Sequence, residues 1–273
     1  SSDYTYSAFI KTNRGRDRWS EEVRFDSIDQ QNALGIVDSW TAGLYFEDFQ
    51  EDTQLRGDFG VFDTIYETNT FNIYGQATHI FSEKTRLTLG LRGEYYDLDT
   101  VVDYENDSLD NNPSFDDWLF GGKITVEHDV SNSSTIFTSV TKGYKAGGAN
   151  IYPSLEPSLP TSYDTEDLWN YDLGVRSSLL DGALVSQLTL FYLGRDDAQL
   201  RSSSGDGIKF TYGTTNAGDA KHYGAELETT WYINENWTIS AGLGLLDTKL
   251  DTTGDDLACA PSYTYNSRID YIA

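Results

Sequence analysis

Segments of about ten residues with half-alternating hydropathy recur along this chain. They are joined in turn by very short and very long connections, and no other feature restricts the fold so tightly. From Trp19 onward the candidate strands are Trp19–Ser27, Ser39–Phe49, Asn69–Phe81, Thr85–Asp97, Trp118–Val130 and Ser134–Lys145. They continue with Asn170–Leu179, Ala183–Gly194, His222–Ile233, Trp237–Lys249 and Tyr263–Ile272. The connections at Ser82–Lys84, Ser131–Ser133, Leu180–Gly182 and Asn234–Asn236 are tight. Those at Gln50–Thr68, Leu98–Asp117, Ala146–Trp169, Arg195–Lys221 and Leu250–Ser262 are long and fall at every second position. The expected fold is all-β, an antiparallel up-and-down sheet with its long loops at one end.

The alternation holds strand by strand. Leu87, Leu89, Leu91, Gly93 and Tyr95 alternate with Thr88, Gly90, Arg92, Glu94 and Tyr96. Leu227 and Trp231 alternate with Glu226 and Glu228, Ile239 and Leu243 with Ser240 and Gly242, and Leu173 and Val175 with Asp172 and Arg176. A period of two sends these sets to opposite faces of a sheet. One face suits hydrocarbon and the other a wet lumen, as in a transmembrane β-barrel. A soluble β-sandwich shares the alternation with its apolar face inward. Three features favour the barrel. The strands exceed the usual five or six residues. Aromatics gather at the ends of the apolar stripes (Tyr95–Tyr96, Trp118, Trp231–Tyr232, Trp237), where a headgroup belt lies. The polar face carries Arg92, Glu94, Arg176, Glu226 and Glu228.

No run of 18 apolar residues is present, so no transmembrane helix can be drawn. A barrel needs none, because its strands satisfy one another. The net charge of −25, from 44 acidic and 19 basic residues, argues against nucleic acid as a partner. Acid concentrates in the long connections. Asp97–Asp117 holds eight carboxylates and no Lys or Arg, which reads as a solvated, self-repelling loop. It lacks the Asp-x-Asp-x-Asp-Gly pattern of a calcium loop. One Cys and three His, none at ligand spacing, exclude an internal disulfide framework and give no zinc pattern. No phosphate loop, Gly-x-Ser-x-Gly elbow or His-Glu-x-x-His occurs. Tandem acids such as Asp116–Asp117 and Asp196–Asp197 are expected by chance in so acidic a chain. Neither an enzyme, a cofactor nor a metal site is expected.

Several short motifs resemble landmarks of the TonB-dependent outer-membrane receptors, in the same order along the chain. Trp19-Ser-Glu-Glu-Val-Arg-Phe-Asp-Ser27 is similar to their Q-E-x-R-x-x-S strand, with Glu21 in place of the usual Gln, and Trp40-Thr-Ala-Gly-Leu-Tyr-Phe46 to the strand that follows it. Leu89-Gly-Leu-Arg92, Gly143-Tyr-Lys-Ala-Gly-Gly-Ala-Asn150 and Tyr171-Asp-Leu-Gly-Val-Arg-Ser177 resemble later landmarks. So do Asp181-Gly182 before Phe191-Tyr192, Asn216-Ala-Gly218 before Gly224-Ala-Glu226, and Ala260-Pro261-Ser-Tyr263. Each motif is weak alone; their shared order from residue 19 to residue 273 is specific.

The resemblance implies a barrel of about 22 strands preceded by a plug, so residues 1–273 are expected to be about half of the barrel domain. It implies an outer-membrane receptor of a Gram-negative bacterium that binds a scarce substrate at its long loops. Uptake would be energised by the TonB complex acting through the N-terminal plug region. Ferric siderophores are the usual cargo of the family, with haem, cobalamin and oligosaccharides as alternatives. Outer-membrane lipid is then the surrounding partner. The competing class is a soluble β-sandwich acting as a carbohydrate-binding or adhesive module. Ligand contacts are expected at Trp118, at Tyr152 and Tyr163 in the Ala146–Trp169 connection, and at Arg201 and Lys209 in Arg195–Lys221. Aromatic rings supply contact area at little entropic cost, and Arg or Lys pairs with an anionic ligand.

Overall fold

The computed structural model describes residues 10–27, 37–57, 60–104, 112–150, 160–204 and 211–272. The chain opens with six long strands, β1 (Ile10–Asp26), β2 (Ser39–Gly57), β3 (Gly60–Ser82), β4 (Thr85–Tyr104), β5 (Ser114–Ser131) and β6 (Ser134–Lys145). A small hairpin of β7 (Gly148–Ala149) and β8 (Ser162–Tyr163) precedes β9 (Glu166–Leu179) and β10 (Leu184–Asp196). A second, β11 (Gln199–Ser204) with β12 (Thr211–Asn216), precedes β13 (Ala220–Tyr232), β14 (Trp237–Leu250) and β15 (Tyr263–Tyr271). The eleven long strands form one antiparallel sheet in chain order, with β1 and β15 at its edges. This is the strand count expected from the sequence. The only other sheets among the described residues are the two-stranded β7–β8 and β11–β12, too small to be the second layer of a sandwich.

Tight turns lie at one end. Between β9 and β10, Leu180, Asp181 and Gly182 all take positive φ, the last at 92°. Asp-Gly is suited to such a turn because both residues tolerate the left-handed region. Between β13 and β14 the Asn234 side chain accepts bonds from the backbone N–H groups of Asn236 and Trp237, both at 3.0 Å. That closes the turn locally.

At the other end the strands outrun their expected bounds. Gln50–Thr68 was expected to be a long loop. Instead β2 climbs to Gly57 and β3 descends from Gly60, paired in register throughout. The acidic Asp97–Asp117 segment is likewise strand at both flanks, through Tyr104 on β4 and from Ser114 on β5. Its solvated-loop reading is corrected there. The reason is its own period of two, for Asp97, Asp99 and Asp103 occupy one face while Leu98, Thr100 and Val102 occupy the other and are buried.

Register assigns each side chain to a face. Leu87, Leu89, Leu91, Leu227, Trp231, Ile239 and Leu243 share one face, the outer. Arg92, Glu94, Arg176, Glu226 and Glu228 share the inner. Outer-face aromatics form two levels. Toward the long connections Trp19 meets Phe46 (ring centroids 5.4 Å), Tyr95 meets Trp118 (5.3 Å) and Tyr171 meets Tyr192 (6.2 Å). Near the tight turns Trp237 meets Tyr271 at 4.8 Å. Beyond the upper girdle the polarity inverts. The outer face there carries Asp48, Asp97, Asp99 and Asp116, while Leu55, Phe62, Leu98 and Val102 are buried on the inner face.

Three inner-face glycines sit directly opposite aromatic residues of the next strand, Gly43 against Tyr74, Gly174 against Phe137 and Gly224 against Phe191. In each pair the ring lies where the glycine's Cβ would be. Aromatic cover of a strand glycine shields its backbone from water. Phe137 also lies 4.3 Å beneath the Arg176 guanidinium carbon, a cation–π contact.

Two outcomes follow. In the full-length protein folded into lipid vesicles, Leu89→Arg should lower the unfolding free energy by about 2–4 kcal/mol. Glu226→Arg should change it by less than about 1 kcal/mol, since lumen-facing charge stays hydrated. Equal losses in urea titrations would contradict the face assignment. Gly174→Ala should cost about 1–3 kcal/mol by overpacking against Phe137. Adding Phe137→Ala should recover part of that loss, giving a coupling of at least about 0.5 kcal/mol in a double-mutant cycle. Strictly additive losses would show that the ring is not the obstacle.

Candidate functional site

Above the upper girdle, the inner faces of β1–β5 form a wall whose side chains lie in cross-strand rows. One row runs Arg16, Glu51, Tyr66, Thr100; the next Arg18, Phe49, Thr68, Leu98, Phe115; the next Ser20, Glu47, Thr70, Tyr96, Asp117. Alternation along β1 puts Arg14, Arg16 and Arg18 on this face together. Glu51 lies 3.1 Å from Arg14 Nε and 2.5 Å from Arg16 Nε, and Glu47 lies 2.6 Å from Arg18 Nη2. The Tyr45 hydroxyl also donates to Glu47.

The next row holds a polar cluster. Arg92 donates from Nε to Asn72 Oδ1 at 2.8 Å and from Nη2 to Glu94 Oε2 at 2.5 Å. The Tyr144 hydroxyl donates to the same Glu94 oxygen at 2.6 Å, with the Arg92 guanidinium 5.8 Å from its ring centroid. Glu94 is buried, and its charge is matched by these donors.

Aromatic rings gather above that cluster. The Tyr66 and Tyr96 hydroxyls are 3.3 Å apart, and Tyr96 packs against Phe115 at 6.3 Å between centroids. The β7–β8 hairpin lies over them. A Cβ on Gly147 would fall 2.5 Å from the Phe115 ring and 2.6 Å from the Tyr163 carbonyl oxygen, and one on Gly148 would fall 2.5 Å from the Tyr163 hydroxyl. Both glycines are required by close approach. Burial, and next the neighbouring Tyr66, raise the Tyr163 pKa above the ordinary phenol value, so the hydroxyl remains a neutral donor.

The two long connections that carry the small hairpins are fastened to each other. Gln199 Nε2 is within 3.2 Å of Lys145 O, 2.9 Å of Ala146 O and 2.9 Å of Asp164 O. Asn216 accepts from Asp164 N at 2.8 Å and donates to Asp164 O and Asp197 O. Asn150 accepts from Thr214 N and donates to its carbonyl, both at 2.8 Å. Beneath them Glu166, 1% exposed, takes a bidentate bond from Arg195 (2.5 and 2.8 Å) and another from Gln199 N at 2.7 Å. Removing one member of such a buried pair costs about 3–5 kcal/mol.

The expected contact residues divide. Tyr163 lies in the aromatic cluster. Trp118 stands instead on the outer face, between Tyr95 and Phe120, as part of the girdle. Arg201 is exposed on β11, opposite Thr214. Tyr152 and Lys209 lie outside the described residues. Sequence reasoning missed Tyr66, Tyr96, Phe115 and the three arginines. For Tyr66, Phe115 and the arginines the signal is the alternation continuing above the girdle, in segments read as loop or not assigned, whereas Tyr96, expected in the headgroup belt, lies on the inner face opposite Thr70. An open hollow of about 480 Å³ lies at the opposite end, between the tight turns, and shares no residue with this wall.

Replacing Gln199 by Ala leaves three carbonyls without their shared donor, a local cost of about 1–3 kcal/mol. Amide hydrogen exchange of residues 146–150 and 160–165 should accelerate about tenfold or more in the full-length protein, with β4 unchanged. Unaltered exchange in that segment would show that Gln199 does not fasten it.

The whole chain, residues 1–273, matches the family model described as TonB dependent receptor-like, beta-barrel. A pesticin receptor of Yersinia pestis is 26% identical over 233 residues, covering 81% of this chain and 33% of that protein. This chain therefore spans about a third of the length of that curated relative. The crystal structure of the ferric yersiniabactin uptake receptor FyuA from Yersinia pestis superposes with a TM-score of 0.82 at 18% identity, over 98% of this chain and 42% of that one. The alcaligin outer-membrane receptor FauA from Bordetella pertussis gives 0.65 at 17% identity, over 97% and 44%. These likenesses carry the fold, and the match over all residues carries the family. The chain belongs to the TonB-dependent receptor β-barrel family, whose barrels lie in the outer membrane of Gram-negative bacteria.

Proposed function

We propose that residues 1–273 are a part of the barrel domain of a receptor that takes up a ferric siderophore, energised by the TonB complex. The observation that carries this reading is the upper inner wall. There aromatic rings and guanidiniums line the mouth of a polar-faced sheet, below loops fastened in place. Such a wall gives a ligand large contact area, directional donors and a hydrated path beneath. Its long-connection end faces the exterior and its tight turns the periplasm, following the construction of outer-membrane barrels. Similar proteins whose names specify ferric yersiniabactin and alcaligin support a siderophore over the other cargoes of the family.

Binding alone moves nothing across a membrane. The family's plug region, contacted by TonB, supplies the energised step in this reading, and the barrel wall supplies capture and orientation. Deleting the gene for the full-length receptor should abolish accumulation of radiolabelled iron from its siderophore under iron limitation. Removing TonB should abolish it equally, with surface binding retained. Iron accumulation that survives both deletions, across a panel of ferric siderophores, would overturn the reading.

A further inference from the structure

Charge on the upper part of this chain is sorted by strand parity. On the outer face, Asp48, Asp52, Glu67, Asp97, Asp99 and Asp116 have no cationic partner among the described residues. On the inner face, Glu47 and Glu51 lie one residue from Asp48 and Asp52 along β2 and are met by Arg14, Arg16 and Arg18 of β1, with Asp117 at the β5 end of the same wall. In a chain of net charge −25, three arginines at alternate positions of one strand are a local concentration of cations. Arg14 and Arg16 both approach Glu51 through Nε, and each guanidinium carries further N–H donors on its Nη atoms.

The rings stand beside these cations. Arg16 and Tyr66 share a row and are separated by one strand, so their backbones are roughly 10 Å apart. A chelate of that breadth spans both.

We infer that the ligand of this wall is an anionic chelate bearing aromatic rings, held by Arg14, Arg16 and Arg18 and packed on Tyr66, Tyr96 and Tyr163. The inference rests on the siderophore reading above and narrows it. Guanidiniums give charge-assisted, forked bonds to phenolate or carboxylate oxygens. A neutral phenol at Tyr163 adds a donor without repelling an anion. A neutral hydroxamate chelate or an uncharged oligosaccharide would gain from the rings and nothing from three adjacent cations.

The test uses the purified full-length receptor in detergent and three ferric probes: a trianionic tris-catecholate, a trianionic aliphatic carboxylate chelate and a neutral tris-hydroxamate. The tris-catecholate should bind at least about tenfold more tightly than either other probe, a difference of one good contact or more. Its affinity should fall with added salt, since exposed charges are screened. Replacing Arg14, Arg16 and Arg18 together by Gln should weaken it roughly tenfold or more while changing the neutral probe less than about twofold. Tyr66→Ala should weaken it separately, and retained heat-modifiable migration in gels would show that both variants are folded. Equal binding of the neutral probe, equal binding of the aliphatic probe, or an arginine variant with unchanged affinity would each overturn the inference. A receptor that binds the neutral probe best and still imports its iron leaves the uptake reading standing. One that binds no ferric probe and imports no iron removes both.

Discussion

The lateral hydrogen-bond ladder governs this molecule. In hydrocarbon an unpaired backbone N–H or C=O costs several kcal/mol, so a spanning sheet must pair every strand with its neighbours. The ladder joins the eleven long strands in chain order, with register shifts only beside two tight turns, at Ile80–Ser82 and Asp129–Ser131. Because it commits only the backbone, each face remains free to change polarity along the strand. On β4 the outer face passes from Leu87, Leu89 and Leu91 through Tyr95 to Asp97 and Asp99. The inner face passes from Arg92 and Glu94 through Tyr96 to buried Leu98 and Val102. The two faces exchange character at one height, which the aromatic girdle marks. Below it the sheet obeys the rules of a membrane; above it, those of a soluble protein. The candidate wall sits where the two regimes meet, and that is why rings and charges occur there together.

The glycine-bearing family landmarks acquire a physical meaning in this setting. Gly43 in Trp40–Phe46, Gly174 in Tyr171–Ser177 and Gly224 before Ala225-Glu226 each lie under an aromatic ring of the adjacent strand. Gly147 and Gly148 in the Gly143–Asn150 landmark lie against Phe115 and Tyr163. Neither residue has positive φ. Space, not torsional freedom, is what these positions demand.

What the sequence disclosed and what it hid follow from the same ladder. All eleven strands of the sheet were legible, because period-two alternation between tight turns is a strong signal when repeated. Their upper ends were not. Composition in Asp97–Asp117 spoke for a loop, whereas its alternation spoke for a strand, and alternation prevailed because Leu98, Thr100 and Val102 had somewhere to be buried. The arginines of β1 precede the first assigned residue, Trp19, and went unseen for the same reason. Trp118 was misjudged because the end of an apolar stripe and the mouth of a lumen coincide in height and differ only in parity. Counting from Glu94 through its partner Leu119 places Trp118 on the outer face. Tyr163 was named on composition alone, and nothing in the sequence links it to Tyr66.

That link depends on side-chain amides. A loop on the rim of a barrel has no ladder to hold it, so its position must come from specific polar bonds or from the ligand. In the connections carrying β7–β8 and β11–β12 it comes from Gln199, Asn216 and Asn150, each reaching backbone groups of the other connection. Anchoring by side chain to backbone is independent of the exact side chains along the anchored loop. The loop surface is thus free to vary with the ligand while its placement over Phe115 and Tyr66 stays the same. Holding Tyr163 in position before a ligand arrives also removes an ordering cost from binding. The buried Glu166–Arg195 pair underlies both connections and bonds Gln199 through its backbone, so the fastening is built on the end of the sheet itself. The rigidity of the ladder is thereby carried past the last paired residue, to the rings that the proposed ligand would touch.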